Sequence, residues 1–344
     1  MRSPVKPLNR FPSVAAWVFL CAAGILNGGQ YAASFLESGV GARALGMGSA
    51  FCALADDGHA FYWNPAGLAL VRRPRLSAMT GPQFGSIASP LAQFHFIGYA
   101  QPLPGDVLVA VNWIRLSVDD IPVYSELDGD SFLDRLRDRT LRPSGDPEGY
   151  IRDTEDAYFF SFSKRNEWTA DLGWLYHQMK IELPLGINIK WIKQSLGGHS
   201  ATGLGIDLGA MIRFHLNDFF QSERVGVLAF GIQVQDMTRT SLRWDTKHQD
   251  SVPVNIKFGT SYRMPLPLRK NALHVALDRD TRWGGRTHFG IEYRGFDVFS
   301  LRIGSDGGRF TGGAGLRLKS FEVDYAFLAH PLDALHRLGC SLSF

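Results

Sequence analysis

The sequence predicts an all-β fold, a transmembrane antiparallel barrel of about fourteen strands, entered through a compact N-terminal segment rich in glycine and alanine. Three observations lead there. An apolar stretch behind three cations marks the chain for export. From about residue 74 onward, segments of roughly ten residues alternate strictly between apolar and small or polar side chains. The last of these, "HRLGCSLSF", alternates to the final residue, where order normally fades, so the closing strand needs a neighbour to pair with.

At the start, Arg2, Lys6 and Arg10 precede "VAAWVFLCAAGIL", followed by the small and polar "NGGQYAAS". That is the layout of a secretory signal peptide, too short to span a bilayer as a helix. Residues 1–33 are assigned to it, with cleavage between 23 and 33. Cys21 raises a lipoprotein reading, but bulky Leu20 stands where a small residue is favoured. Downstream only Cys52 and Cys340 remain, which make no disulfide framework. With 45% hydrophobic and 20% charged residues the chain is not disordered, while a mean hydropathy of -0.07 argues against a helical membrane protein. The formal charge is only +3 and no basic run carries interleaved aromatics, which excludes nucleic-acid binding.

Residues 34–73 do not read as a strand. Asn64 suits an N-cap and Pro65 the first helical position, so a short helix is expected there. Asp56 and Asp57 are acidic in an apolar setting, and Arg43 is the cation that would neutralise one of them.

Residues 74–344 carry the barrel. In "VPVNIKFGTSYRM", Val252, Val254, Ile256, Phe258, Tyr262 and Met264 share one face. In "LGIDLGAMIRFHL", Leu204, Ile206, Leu208 and Ala210 oppose Gly205, Asp207, Gly209 and Met211. Phe289, Ile291 and Tyr293 oppose Gly290, Glu292 and Arg294, and Phe299, Leu301 and Ile303 oppose Ser300, Arg302 and Gly304. Strands are expected near 74–80, 92–101, 106–116, 156–165, 184–196, 201–216, 224–236, 252–264, 271–280, 286–294, 297–304, 310–318, 320–328 and 336–344; residues 169–183 read equally as strand or short helix. A secreted sandwich would alternate too. Its polar face, however, would carry threonine, lysine and glutamate, whereas here single charges are mixed with glycine, as in a crowded lumen. Trp191, Tyr262, Tyr293 and Phe344 are candidates for interfacial belts. Closure joins last strand to first, because lipid leaves an open edge unsatisfied.

The stretches "GARALGMGSAFCALADD" and "YWNPAGLA" resemble the N-terminal signature of PorV/PorQ-type proteins, a branch of the FadL-like outer-membrane barrels. The match runs through Gly41, Arg43, Gly46, Gly48, Ala55, Asp56, Asp57, Asn64, Pro65 and Gly67; Ser49 and Cys52 depart from it. The resemblance implies fourteen strands with the N-terminal segment folded inside as a hatch, placing Gly41, Arg43, Gly46, Gly48, Asp56, Asp57, Tyr62, Asn64 and Pro65 in the hatch or lumen. "HRLGCSLSF" is similar to the C-terminal signal of bacterial outer-membrane proteins, with Phe344 at the position read by the barrel-assembly machinery. The chain is thus expected in the bacterial outer membrane, in contact with its lipid.

Two functions follow from the resemblance. PorV/PorQ members serve type IX secretion, as carriers or scaffolds for exported proteins, whereas FadL-like members pass hydrophobic small molecules through the barrel and out sideways. The segment 117–156, with twelve acidic residues against five arginines, reads as a long external loop. It is either simply solvated or a docking surface for a protein partner or a divalent cation, with Asp128, Asp130 and Asp134 as candidates. An enzyme finds little support. Ser131 lies in a charged loop, no GxSxG occurs, and His215 and His274 lack a visible serine or carboxylate constellation. No HExxH or CxxC suggests a metal, and no cofactor is expected.

Overall fold

The computed structural model describes residues 32–85, 89–124, 132–138, 147–171, 173, 178–267, 270–330 and 334–344. Its strands are β1 (Arg75–Gly85), β2 (Pro90–Leu103), β3 (Val107–Val123), β4 (Gly149–Asp171), β5 (Gln178–Leu196), β6 (His199–His215), β7 (Val227–Gln235), β8 (Ser241–Trp244), β9 (Gln249–Ser251), β10 (Asn255–Pro265), β11 (Ala272–Asp280), β12 (Thr287–Gly295), β13 (Phe299–Asp306), β14 (Arg309–Leu318), β15 (Phe321–Leu328) and β16 (Leu335–Ser343). Fourteen of them, all but β8 and β9, form a closed antiparallel ring. β7 pairs with β10, and β16 returns to β1 with Arg75 opposite Ser343 and Thr80 opposite Leu338. The ending is thus structural almost to its last residue: the Phe344 N–H donates to the Pro74 carbonyl at 3.0 Å.

Every expected strand is present, with differences at the ends. Val252 precedes β10 rather than belonging to it and is buried in the core. The hairpin β8–β9 was not foreseen, because "SLRWDTKHQDS" lacks alternation; it hangs on the edge of β6 through Ala201–Trp244 and Thr202–Arg243. Of 169–183, residues 169–171 finish β4 and 178–183 begin β5. The segment 117–156 is not one loop: β3 runs on to Val123 and β4 starts at Gly149, so its flanks are paired strands. The strands β3 to β6 are 17 to 23 residues long against 8 to 10 in β12 to β16, so the wall stands taller on one side.

The burial pattern is inside out. Along β13, Ser300, Arg302 and Gly304 are buried while Leu301 and Ile303 are exposed. Phe160, Phe162, Ile189, Leu204, Phe230, Ile232, Phe258 and Leu277 likewise face outward, and Asn188, Lys190, Asp207, Gln233 and Glu292 are buried within. An aqueous sandwich would reverse this, whereas lipid requires it, since an arginine turned outward at mid-depth costs about 2–4 kcal/mol. The connections at the end holding Pro74 and Phe344 include the short turns 104–106, 296–298 and 319–320; the opposite end has the turns 197–198 and 307–308 but also the 25-residue separation of β3 from β4 and the β8–β9 hairpin. Short turns face the periplasm and long loops the exterior, which orients the barrel.

Residues 32–74 fill the lumen. They form short helical turns, Ser34–Ser38, Ala42–Gly46, Ala60–Trp63 and Pro65–Leu70; the first buries only Phe35 and Leu36, and the other three are buried almost throughout. Ala33, placed in the leader by sequence, is buried in this core and its carbonyl accepts from the Leu36 N–H, so the docked segment begins by residue 32. Aromatic packing holds its centre: Phe61 stacks on Phe96 of β2 and meets Phe159 of β4 edge-on, with centroids 5.6 and 5.0 Å apart.

Candidate functional site

The hatch is tied to the wall by hydrogen bonds that a crowded lumen makes obligatory, because a buried polar group left unpaired costs about 1–3 kcal/mol. Asn64 caps the turn Pro65–Leu70 by accepting from the Ala66 N–H, with Pro65 at the first position, as its sequence implies. Its amide also donates to the Cys52 carbonyl (2.9 Å) and to the Ala210 carbonyl of β6 (3.1 Å). Asn188 reaches the Phe61 carbonyl, Gln233 the Tyr62 carbonyl and Ser261 the Ala53 carbonyl. The Asp278 carboxylate accepts from the N–H groups of Phe51 and Cys52 at 2.7 and 2.6 Å. Ser49 donates to Asp306, so this departure from the N-terminal signature is accommodated by a wall carboxylate.

The glycines are there for close approach. Gly41, at φ 90, precedes the helix Ala42–Gly46 and donates its N–H to Met79 Sδ, and the Gly46 carbonyl accepts from Thr311. Gly48 adopts φ +65, and a Cβ there would stand 2.5 Å from the Phe289 carbonyl oxygen and the Ser305 nitrogen. The wall answers in kind: Gly290 and Gly304 face Met47 and Gly48, and Gly186 and Gly209 face Asn64 and Pro65. The mixture of glycine and charge on the inner face is thus the imprint of the hatch backbone.

At the centre lies an ionic cluster around Glu292, which is fully buried. Its carboxylate takes both Nε and Nη2 of Arg43 at 3.0 Å, Arg302 Nε at 2.9 Å and Arg294 Nη2 at 3.2 Å, and His274 Nδ1 lies 3.1 Å away. Arg43 Nη1 reaches Asp56 at 2.5 Å and Asp57 at 3.1 Å, and Asp57 accepts from the His59 N–H at 2.9 Å. Arg302 continues to Asp324 at 2.6 Å. Sequence reasoning set Arg43 against one of the two aspartates, whereas it contacts both; it missed Glu292, the anchor in the wall, which only the alternation of β12 marked as facing inward. Burial alone would raise the Asp57 carboxyl, but His59, Arg43 and Arg75 more than offset this and hold it below the usual carboxylate range. Burial also pushes the Tyr62 hydroxyl up, and that hydroxyl donates to the Leu36 carbonyl. His274, weighed for hydrolysis, is bound into this cluster. Lys257 Nζ lies 4.8 Å from the Trp63 ring and 5.5 Å from that of Tyr62.

Two cavities lie at opposite ends of the barrel, and the first borders the hatch. One of about 310 Å³ opens at the loop end, with Phe35 and Leu45 of the hatch and Leu116, Leu328 and Leu335 of the wall on its apolar side and Glu37, Asp306, Arg286 and Arg309 at its polar side. The other, about 490 Å³, lies at the terminus end near Arg263, Lys270 and Arg294. Of the external docking candidates, Asp128 and Asp130 lie outside the described residues, as does Ser131; Asp134 is exposed in the short helix Phe132–Arg137. Among the described residues no group of three His, Cys, Asp or Glu side chains could hold a metal ion.

With this geometry in view, comparison with known proteins bears on the fold. The P. putida toluene transporter TodX is similar over 89% of this chain and 99% of its own, at 11% identity and a TM-score of 0.52. The Ralstonia pickettii toluene transporter TbuX covers 89% and 98% at 12% identity and a TM-score of 0.43. The fold is that of a FadL-type outer-membrane barrel. No family model and no curated protein matches the sequence.

Proposed function

We propose that this protein is a passive outer-membrane channel that takes up small hydrophobic molecules. The observation that carries the reading is the loop-end cavity, which is built jointly from hatch and wall and opens toward the exterior. Its volume of about 310 Å³ falls at the lower end of ligand-pocket sizes and exceeds the roughly 150 Å³ apolar cavity that accepts benzene. Phe35, Leu45, Leu116 and Leu328 offer the apolar contact, and the charged residues on the other side hold a hydrated mouth. Beneath the cavity the Glu292 cluster and the tied hatch occupy the lumen, so passage requires the hatch to shift. The likeness in fold to toluene transporters supports a cargo of monoaromatic size.

Uptake of labelled toluene by cells with and without the protein tests this. Uptake should rise with the wild type and fall toward background with Ala329→Trp, which fills the cavity while leaving the ionic cluster intact. Rates equal to those of cells lacking the protein would overturn the proposal. The secretion-carrier reading rests on the N-terminal signature alone; stoichiometric co-purification of exported proteins with an empty cavity would favour it instead.

A further inference from the structure

The outer wall carries one cationic row that neither the hatch nor the cavity explains. Across β3, β4, β5, β6 and β8, cross-strand pairing aligns Arg115, Asp156, Lys193, Thr202 and Arg243. Arg115 and Asp156 satisfy each other: the carboxylate takes Arg115 Nε at 2.7 Å and Nη2 at 2.8 Å, and Trp113 Nε1 at 2.8 Å. Lys193 and Arg243 are exposed and make no ion pair among the described residues. The next carboxylate along β8, Asp245, is occupied by the Ser200 N–H and His199. Two cations therefore flank Thr202 on the outside of the barrel without a counter-ion.

Their depth is set by what lies below. The row beneath pairs Trp113, Tyr158, Trp191 and Leu204, with Tyr158 and Trp191 stacked at 5.4 Å. Under Trp191 the outer face of β5 continues as Ile189, Ile187 and Leu185, and on β4 the apolar run Tyr158, Phe160, Phe162 ends at Lys164. From Asp156 to Lys164 is about 27 Å along the strand, or about 20 Å of depth at the usual tilt, so these charges bracket the hydrocarbon layer. Lys193 and Arg243 sit at its loop-end boundary, where the cost of an outward cation falls to about 0–1 kcal/mol and where the headgroups of the outer leaflet lie.

We propose that Lys193 and Arg243, with Thr202 between them, bind the phosphate of a phosphorylated lipid in the outer leaflet, its acyl chains lying against Trp191 and Leu204. The two Cα positions are two strand spacings apart, about 10 Å, within reach of two long side chains converging on one phosphate. Arg243 supplies a fork for two oxygens and Lys193 a point charge.

Native mass spectrometry of the full chain in detergent tests the site, with diphosphorylated lipid A and its dephosphorylated counterpart as probes. Wild type should retain the phosphorylated lipid and release the other. The double variant K193Q/R243Q should retain the phosphorylated form roughly thirtyfold less well, from the attraction that each cation adds near an anionic surface. T202K should raise retention, and R279Q, an outer-face cation on β11, should leave it unchanged. Equal retention of both lipids by the wild type, wild-type retention by the double variant, or an equal loss in R279Q would each overturn the assignment. The comparison of the two lipids on the wild type holds even if a variant fails to fold, and heat-modifiable gel mobility identifies variants that do.

Discussion

Replacing Glu292 with alanine removes the wall carboxylate that pairs with the hatch cation Arg43. Four charge-assisted hydrogen bonds are lost, two from Arg43 and one each from Arg302 and Arg294, together with the close approach of His274. Arg43 keeps Asp56 and Asp57, and Arg302 keeps Asp324. Arg294 is left with no ion-pair partner among the described residues. Removing one partner of a buried ionic group costs about 3–5 kcal/mol, chiefly because the remaining charge stays buried and unpaired. Since Arg43 is the hatch's share of the cluster, much of that loss should fall on hatch docking. A loss of about 3 kcal/mol raises the undocked fraction more than a hundredfold. Limited proteolysis of the folded protein in detergent reads this directly, as faster cleavage within residues 32–74 at unchanged barrel mobility. Arg43→Ala completes a double-mutant cycle: the two losses should fall short of additivity by about 0.5–3 kcal/mol, as expected for groups in direct contact. Cleavage of Glu292→Ala at the wild-type rate, or additive losses, would show that the cluster does not hold the hatch.

Three further outcomes are expected. Gly48→Ala should loosen the hatch without opening the barrel, because its Cβ meets the β12 and β13 backbone at 2.5 Å, whereas Gly339→Ala, with its nearest neighbour at 3.6 Å, should be silent in the same proteolysis assay. Cys340 is exposed on the outer wall and Cys52 is buried, so a lipid-soluble maleimide should label Cys340 in membranes and a charged one should not; labelling by the charged reagent would place β16 in water. Phe344→Ala should lower the yield of folded protein in the outer membrane of cells while leaving refolding into detergent unchanged, since the side chain is 64% exposed and its fold contact is made by the backbone; equal cellular yields would remove its role in assembly.

The strands were legible because lipid imposes a two-residue period more strictly than an aqueous core does. An outward Arg302 or Lys190 is costly toward the middle of the hydrocarbon, so each such residue reveals the inner face of its strand. The same logic failed where lipid is absent. The upper halves of β3 and β4 alternate poorly and carry Asp119, Asp153 and Glu155, so they read as loop, and the β8–β9 hairpin left no period at all. Local chemistry marked the Asn64–Pro65 cap and set Arg43 against one of Asp56 and Asp57, since each depends on residues close in the chain.

What the sequence by itself determined was therefore the alternation, the strand number and the closure of the ring by β16. The resemblance placed the hatch inside that ring, and tertiary structure alone decided how it is held there. Glu292 lies 249 positions from Arg43 in the chain, and Gly290 and Gly304 are explained only by the hatch backbone lying against them. The alignment of Lys193 with Arg243 depends on β8 pairing with β6. Period and composition are local properties of a chain, whereas the partner of a buried charge is set by how strands close in space.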